Sequence, residues 1–218
     1  MTSIMLAMPA YGGSIKLRTV QSLLKLQNDF GGKGISIGYA FRENAEITLT
    51  RNYFGSLAAN RNNRPHVLMI DHDMAFEPIT IFKLLAADKD VVGAVCPQRK
   101  MTPQFNFKSD QPPEINSNGL AKVRAIGAGI VLIKTQVFLD LIATGELSEC
   151  ASPMAGFDAP LYGFFDRWVD GKNYHSEDLS FCERWRALCG GEVWALFGEK
   201  IGHVGDYEFS FDVKLGEL

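Results

Sequence analysis

Two carboxylates one residue apart close a short apolar run: His66-Val67-Leu68-Met69-Ile70 leads straight into Asp71-His72-Asp73. A continuous apolar run of this length reads as a buried strand of parallel type. Open α/β sheets bind their ligands at the carboxyl ends of such strands. Strand alternation turns Asp71 and Asp73 to one side and His72 away. Two like charges side by side are unfavourable unless a cation lies between them, and hard divalent cations take carboxylate oxygens. The pair therefore points to a metal site. A plainer role is open to the same residues, because Asp at a strand end also forms turns and caps helices. A second acidic pair, Glu177-Asp178, opens a helix after a loop. There a carboxylate either complements the helix dipole or takes a proton from a hydroxyl.

The elements that must position these residues alternate along the chain. Residues 4–9 predict a first buried strand, closed by Ala10-Tyr11-Gly12-Gly13, with Ser14 as the cap of a helix that runs to about Phe30. Residues 35–40 predict a second strand and 46–59 a second helix, before the strand that carries the acidic pair. A helix over 78–87 with Pro78 in its first turn and a strand over 90–95 follow. The segment 97–120, with Pro103, Pro112 and Pro113, reads as a long polar excursion of functional-loop type. Residues 123–133 predict one long strand, in which Gly127 and Gly129 mark a bulge or a close backbone approach to a ligand. A helix over 135–143 comes next. The region 148–175 is irregular and aromatic (Phe157, Tyr162, Phe164, Phe165, Trp168, Tyr174), either a small core or a stacking wall for a sugar or other acceptor. The chain ends with a helix over 177–188, a strand over 192–197 and Ile201-Gly202-His203-Val204-Gly205. Strands alternating with helices predict a doubly wound, mostly parallel α/β sheet in a single domain.

Composition narrows the class. The chain has 218 residues, 46% of them hydrophobic and 22% charged, which is enough for one sizeable core. A formal net charge of -3 offers no basic field for nucleic acid or an anionic membrane. The apolar stretch 4–10 is too short for a membrane span and has no basic stretch before it, so no signal peptide is expected. Cys96, Cys150, Cys182 and Cys189 form no C-x-x-C pair, and a reduced, cytoplasmic setting is the expectation. A homo-oligomer is open.

Read together, the pieces resemble a GT-A glycosyltransferase, similar to the family-2 enzymes and their phage and bacterial relatives. They are Met8-Pro9-Ala10-Tyr11, Thr50-Arg51-Asn52, Ile70-Asp71-His72-Asp73, Gly127-Ala128-Gly129-Ile130-Val131-Leu132-Ile133, Ser176-Glu177-Asp178-Leu179-Ser180-Phe181-Cys182 and Gly202-His203. Their order spans nearly the whole chain, while 97–121 and 148–175 match nothing. The resemblance implies a nucleotide-binding half over about 1–96 and an acceptor and catalytic half over about 97–218. It implies transfer of a sugar from a nucleotide-sugar donor, UDP- or GDP-linked, to an acceptor hydroxyl, in the inverting pattern. Pro9, Ala10 and Tyr11 would lie along the nucleobase, with Tyr11 stacking on it, and Arg42 would contact base or phosphate. Arg51 would pair with phosphate, or serve only as a surface helix charge. His72 is counted with the donor-binding residues. Asp71 and Asp73 would hold the metal, joined by His203, whose imidazole favours Mn2+ over Mg2+. Asp178 would be the base that accepts the acceptor's proton, and Glu177 would orient the acceptor.

Two enzyme classes fit less well. A phosphatase of haloacid-dehalogenase type carries D-x-D on its first strand, and a sugar nucleotidyltransferase wants Arg or Lys in the loop that is Pro9-Ala10-Tyr11-Gly12-Gly13 here. A non-catalytic nucleotide-binding module is the rival from another class. The acceptor, whether glycan, protein, small molecule or hydroxymethylated DNA base, stays open.

Overall fold

The computed structural model describes residues 3–60, 64–205 and 207–210. Seven strands build the central sheet: β1 (Ser3–Pro9), β2 (Ser36–Arg42), β3 (His66–Ile70), β4 (Val91–Ala94), β5 (Leu120–Val123), β6 (Ile130–Lys134) and β7 (Val193–Leu196). Among the described residues five α-helices pack around it: α1 (Leu17–Gly32), α2 (Ile47–Asn60), α3 (Pro78–Ala86), α4 (Thr135–Ala143) and α5 (Glu177–Cys189). The strand order is β2-β1-β3-β6-β4-β7-β5. β1 pairs in parallel with β2 and β3, and β4 with β7, whereas β6 runs against both β3 and β4 and β5 runs against β7. This is the mostly parallel, doubly wound α/β sheet that the alternation of elements predicts.

Period-two alternation explains how the sheet is covered on both faces. Met5 and Ala7 of β1, with Val67 and Met69 of β3, turn to one face and meet Phe54, Phe138, Phe181 and Trp185 from α2, α4 and α5. Ile4, Leu6 and Met8, with Leu68 and Ile70, turn to the other and meet Leu23, Leu26 and Phe30 of α1 and Ile81 and Leu84 of α3. Among the described residues no helix is long and apolar enough to cross a membrane.

Three expectations are corrected. Ser14 does not cap α1. The helix starts later, after Lys16 in extended conformation, and the Ser14 hydroxyl turns back to the Tyr11 carbonyl at 3.5 Å. The run 123–133 is not one strand, because no single partner spans it. Leu120–Val123 pairs with β7, Ala125–Ile126 pairs with Phe107–Lys108, and Ile130–Lys134 enters between β3 and β4. The region 97–120 therefore contains paired backbone as well as loop. In the aromatic region Phe157, Phe164 and Phe165 are buried. Phe165 stacks on Phe181 at 4.6 Å and Phe164 meets Phe138 edge-on at 5.0 Å, so these rings are core and not a stacking wall. Tyr174 does remain exposed.

Candidate functional site

β3 ends at Ile70, and the acidic pair lies in a turn. The Asp71 N–H reaches the Gly129 carbonyl at 3.0 Å, and the Met74 N–H closes onto the Asp71 carbonyl at 3.2 Å. The Lys16 N–H bonds the His72 carbonyl at 2.9 Å and ties the start of α1 to this turn. Strand alternation stops applying where the strand stops. His72 does not face away: it lines the same cleft as Asp71 and Asp73, together with Pro9, Tyr11, Asn44, Ala45, Ile47, Arg51 and Glu177.

Arg51 organises one side of the cleft. It sits one turn into α2, whose first turn is fixed by the Glu46 carboxylate accepting the Thr48 N–H at 3.0 Å and the Leu49 N–H. Its guanidinium is buried, giving Nη2 to Asp71 Oδ1 at 2.8 Å and Nη1 to Glu177 Oε1. The surface-charge alternative for Arg51 is thereby overturned. Burial works against its charge, but Asp71, Glu177 and Asp178 outweigh burial and raise its pKa. Next in sequence, Asn52 donates to Asp166 Oδ1 at 2.7 Å and accepts the Phe165 N–H at 2.7 Å. One buried polar pair thus ties the end of β3, the start of α5 and the 164–166 loop to α2.

Asp73 is buried and bears on a different set. Its Oδ2 accepts from Arg99 and lies 3.5 Å from His203 Nε2, while its Oδ1 is buried without a hydrogen-bond partner. Burial pushes its carboxyl up, yet the His203 contact and the His203 and Arg99 charges prevail and hold it below the usual range. His203 arrives through a small antiparallel sheet in which Gly202–Val204 pairs with Met74–Ala75, His203 opposite Met74. The Val204 N–H also bonds the Asp73 carbonyl at 2.8 Å. Buried Glu199, accepting from Thr80 Oγ1 at 2.9 Å and Lys83 Nζ at 2.5 Å on α3, anchors the segment that delivers it.

The His203 ring carries a further constraint. Nδ1 lies 2.9 Å from the Pro97 carbonyl, which can only accept, so Nδ1 must be the donor. Nε2 is left facing the Asp73 carboxylate at 3.5 Å, where either a ring proton or a bound cation can lie between them. This is the tautomer setting that metal-bound histidines use. With the orphaned Asp73 oxygen, it makes Asp73 and His203 a fitting pair of ligands for a divalent cation. Asp71 is instead engaged by Arg51, and among the described residues no three His, Cys, Asp or Glu side chains converge as a ready cage.

The second acidic pair occupies the first turn of α5, as expected. Burial raises the Glu177 pKa, and the nearby Asp178 and Asp71 charges add to this against the lowering by Arg51. Asp178 is half-buried, and its Oδ1 accepts the Leu179 N–H at 2.8 Å and the Ser176 hydroxyl. At Gly127 the close approach is to the protein's own side chains: a Cβ there would come within 3.1 Å of Asp178 Oδ2 and 2.9 Å of Asn106 Cβ.

Pro9 and the exposed Tyr11 line the cleft, whereas Ala10 is buried and gives its N–H to the Arg42 carbonyl at 2.8 Å. The Arg42 side chain lies over the Tyr53 ring at 4.5 Å and bonds the Ala155 carbonyl at 3.3 Å, apart from the cleft lining. Sequence reasoning missed Asn44 and Arg99. A cation in an irregular polar segment has no periodic neighbours to mark it, and only the fold brings Arg99 to Asp73.

No protein-family model matches the chain, and no curated protein matches it in sequence. Among solved structures, A197 from STIV matches 97% of this chain and 90% of its own at 12% identity and a TM-score of 0.57, a likeness of fold. Glycosyltransferases also occur among the similar structures. GalNAc-T7, solved with UDP, GalNAc and Mn2+, matches 94% of this chain at 9% identity with a TM-score of 0.47. A Drosophila β-1,4-galactosyltransferase 7, solved with manganese, UDP-Gal and xylobiose, matches 90% at 12% identity with a TM-score of 0.48. The chain spans 44% and 65% of these two proteins.

Proposed function

We propose that this chain is a divalent-metal-dependent glycosyltransferase that moves a sugar from a nucleotide-sugar donor to an acceptor hydroxyl with inversion. The observation that carries the reading is one cleft lined by Tyr11, Asp71, Asp73 and Glu177, with Arg51 joining its two acidic segments. Tyr11, exposed at the cleft, offers a ring face to the nucleobase of a UDP- or GDP-linked donor. Asp73 and His203 are the residues that would hold Mn2+ (or Mg2+), and the ion would supply Lewis-acid neutralisation of the departing diphosphate. Asp178 takes the proton of the acceptor hydroxyl as its oxygen bonds to the anomeric carbon and the bond to the diphosphate breaks. Glu177, tied to Arg51, orients the acceptor beside it.

The test is thermal shift against UDP, GDP, CDP, CMP and ADP, each with Mn2+ and with EDTA. A ligand at about 100 times its Kd stabilises by about 2.7 kcal/mol, a rise of about 5–11 °C for a chain of this size. One nucleotide that raises the melting point only with metal supports the donor site. No response to any of them removes the transferase reading. Nucleotide binding with no turnover in wild type, unaffected by Asp178→Asn, would favour the non-catalytic module.

A further inference from the structure

We propose that Arg99 is a second cation of this site, one that competes with the divalent ion for Asp73 and pairs with the donor's diphosphate once the ion is held. The inference rests on the metal-dependent reading above. It makes the binding of metal and of diphosphate mutually reinforcing, and it gives a role to the polar segment that resembles nothing in the family.

Arg99 extends from a loop whose base is pinned. Pro97 bridges Phe105, the Gln98 N–H bonds the Gln104 carbonyl at 2.7 Å, and the Gln98 side chain bonds the Phe105 carbonyl at 3.0 Å. The side chain itself is far less constrained. It is 43% exposed, and its stem passes over Gly205, which has no side chain to hold it. Its guanidinium holds Asp73 Oδ2 and the Val204 carbonyl at 3.3 Å. Release from Asp73 therefore needs rotation of a solvated side chain and no change in the core.

Charge supplies the direction. Asp71, Asp73, Glu177 and Asp178 are four carboxylates, and Arg51 and Arg99 are two guanidinium groups. Arg51 is spent on Asp71 and Glu177. Arg99 therefore compensates Asp73, the carboxylate that has one oxygen orphaned and His203 beside it. A divalent ion arriving at that carboxylate meets a like charge already on it. A diphosphate offers the displaced guanidinium a planar pair of oxygens that it binds as well as a carboxylate.

Calorimetry on the full chain tests this with Mn2+ alone and with manganese pyrophosphate, which needs no knowledge of the base. R99Q is expected to bind Mn2+ alone about fivefold more tightly, the reach of an ion pair whose guanidinium is partly solvated. It is expected to bind manganese pyrophosphate about tenfold more weakly, the loss of a charge-assisted hydrogen bond. R99K, which keeps the charge, should stay close to wild type for Mn2+. Unchanged or weaker Mn2+ binding in R99Q, with wild type binding normally, overturns the role of Arg99 and leaves the transferase reading standing. Mn2+ affinity that is the same in Asp73→Asn as in wild type, or no Mn2+ binding in any form, overturns both.

Discussion

Arg51→Met is the substitution that loads the most onto this architecture. Methionine reproduces the apolar stem of the arginine out to about Nε and removes the charged head. What remains is Glu177 with a side chain 12% exposed and Asp71 with one 27% exposed, facing each other and Asp178 without a cation. Removing one partner of a buried ion pair costs about 3–5 kcal/mol. Asp71 can rehydrate in part, which places the expected loss near the lower end, about 3 kcal/mol. For a chain of this size that is a fall of about 6–12 °C in Tm, readable by calorimetry or circular dichroism. The deficit should also depend on pH. Glu177 is already held above its ordinary range by burial, so its contribution is complete below that range and is lost as pH rises through its folded-state value. Without Arg51 that value moves higher still. The gap between Arg51→Met and wild type should therefore narrow as pH falls from about 8 to about 5. A variant that melts within about 2 °C of wild type at neutral pH, a shift below 1 kcal/mol, would refute the view that Arg51 holds the two acidic segments together.

Further expectations can be checked independently. Asp178→Asn should spare nucleotide binding and stop transfer, since the amide keeps the shape but accepts no proton; turnover near wild type would remove the base assignment. Asp73→Ala should abolish metal-dependent nucleotide binding in the same thermal-shift series, and a surviving manganese effect would relocate the ion. Gly127→Ala should cost about 1–3 kcal/mol by forcing Asn106 and Asp178 aside, and should lower transfer more than nucleotide binding. Gly55→Ala, on the core side of α2, would bring a methyl to 2.7 Å from Phe164 and 2.9 Å from Phe138. It should destabilise by about 1–3 kcal/mol through overpacking without changing Mn2+ affinity.

Local patterns carried most of the fold. Buried runs such as 67–70, the recurrence of Leu17, Val20, Leu23 and Leu24, and Pro78 at a helix start mark elements that stand where those signals lie, although Leu17 and Leu24 are exposed and Leu26 and Phe30 share the buried face with Leu23. The presence of Asp71, Asp73, Glu177 and Asp178 at element ends was legible in the same way. What these side chains touch was not. A single turn after β3 and a continuing strand differ by one hydrogen bond, from the Met74 N–H to the Asp71 carbonyl, and that turn leaves His72 lining the cleft. The break-up of 123–133 follows from which strands are free to pair, a fact about the whole sheet. Arg51 reads equally as a surface or a buried charge along its own helix; only α5, contributed 126 residues later, supplies Glu177 and makes it buried and necessary. Arg99 stands in a segment with no periodicity, and the approach of 97–105 to Val204 and Asp73 is what gives it a partner. Sequence alone determined most of the elements and where their carboxylates fall, because those are local choices. Tertiary structure decided which charges neutralise which, because Coulomb interactions in a buried site depend on distances between segments that only packing sets.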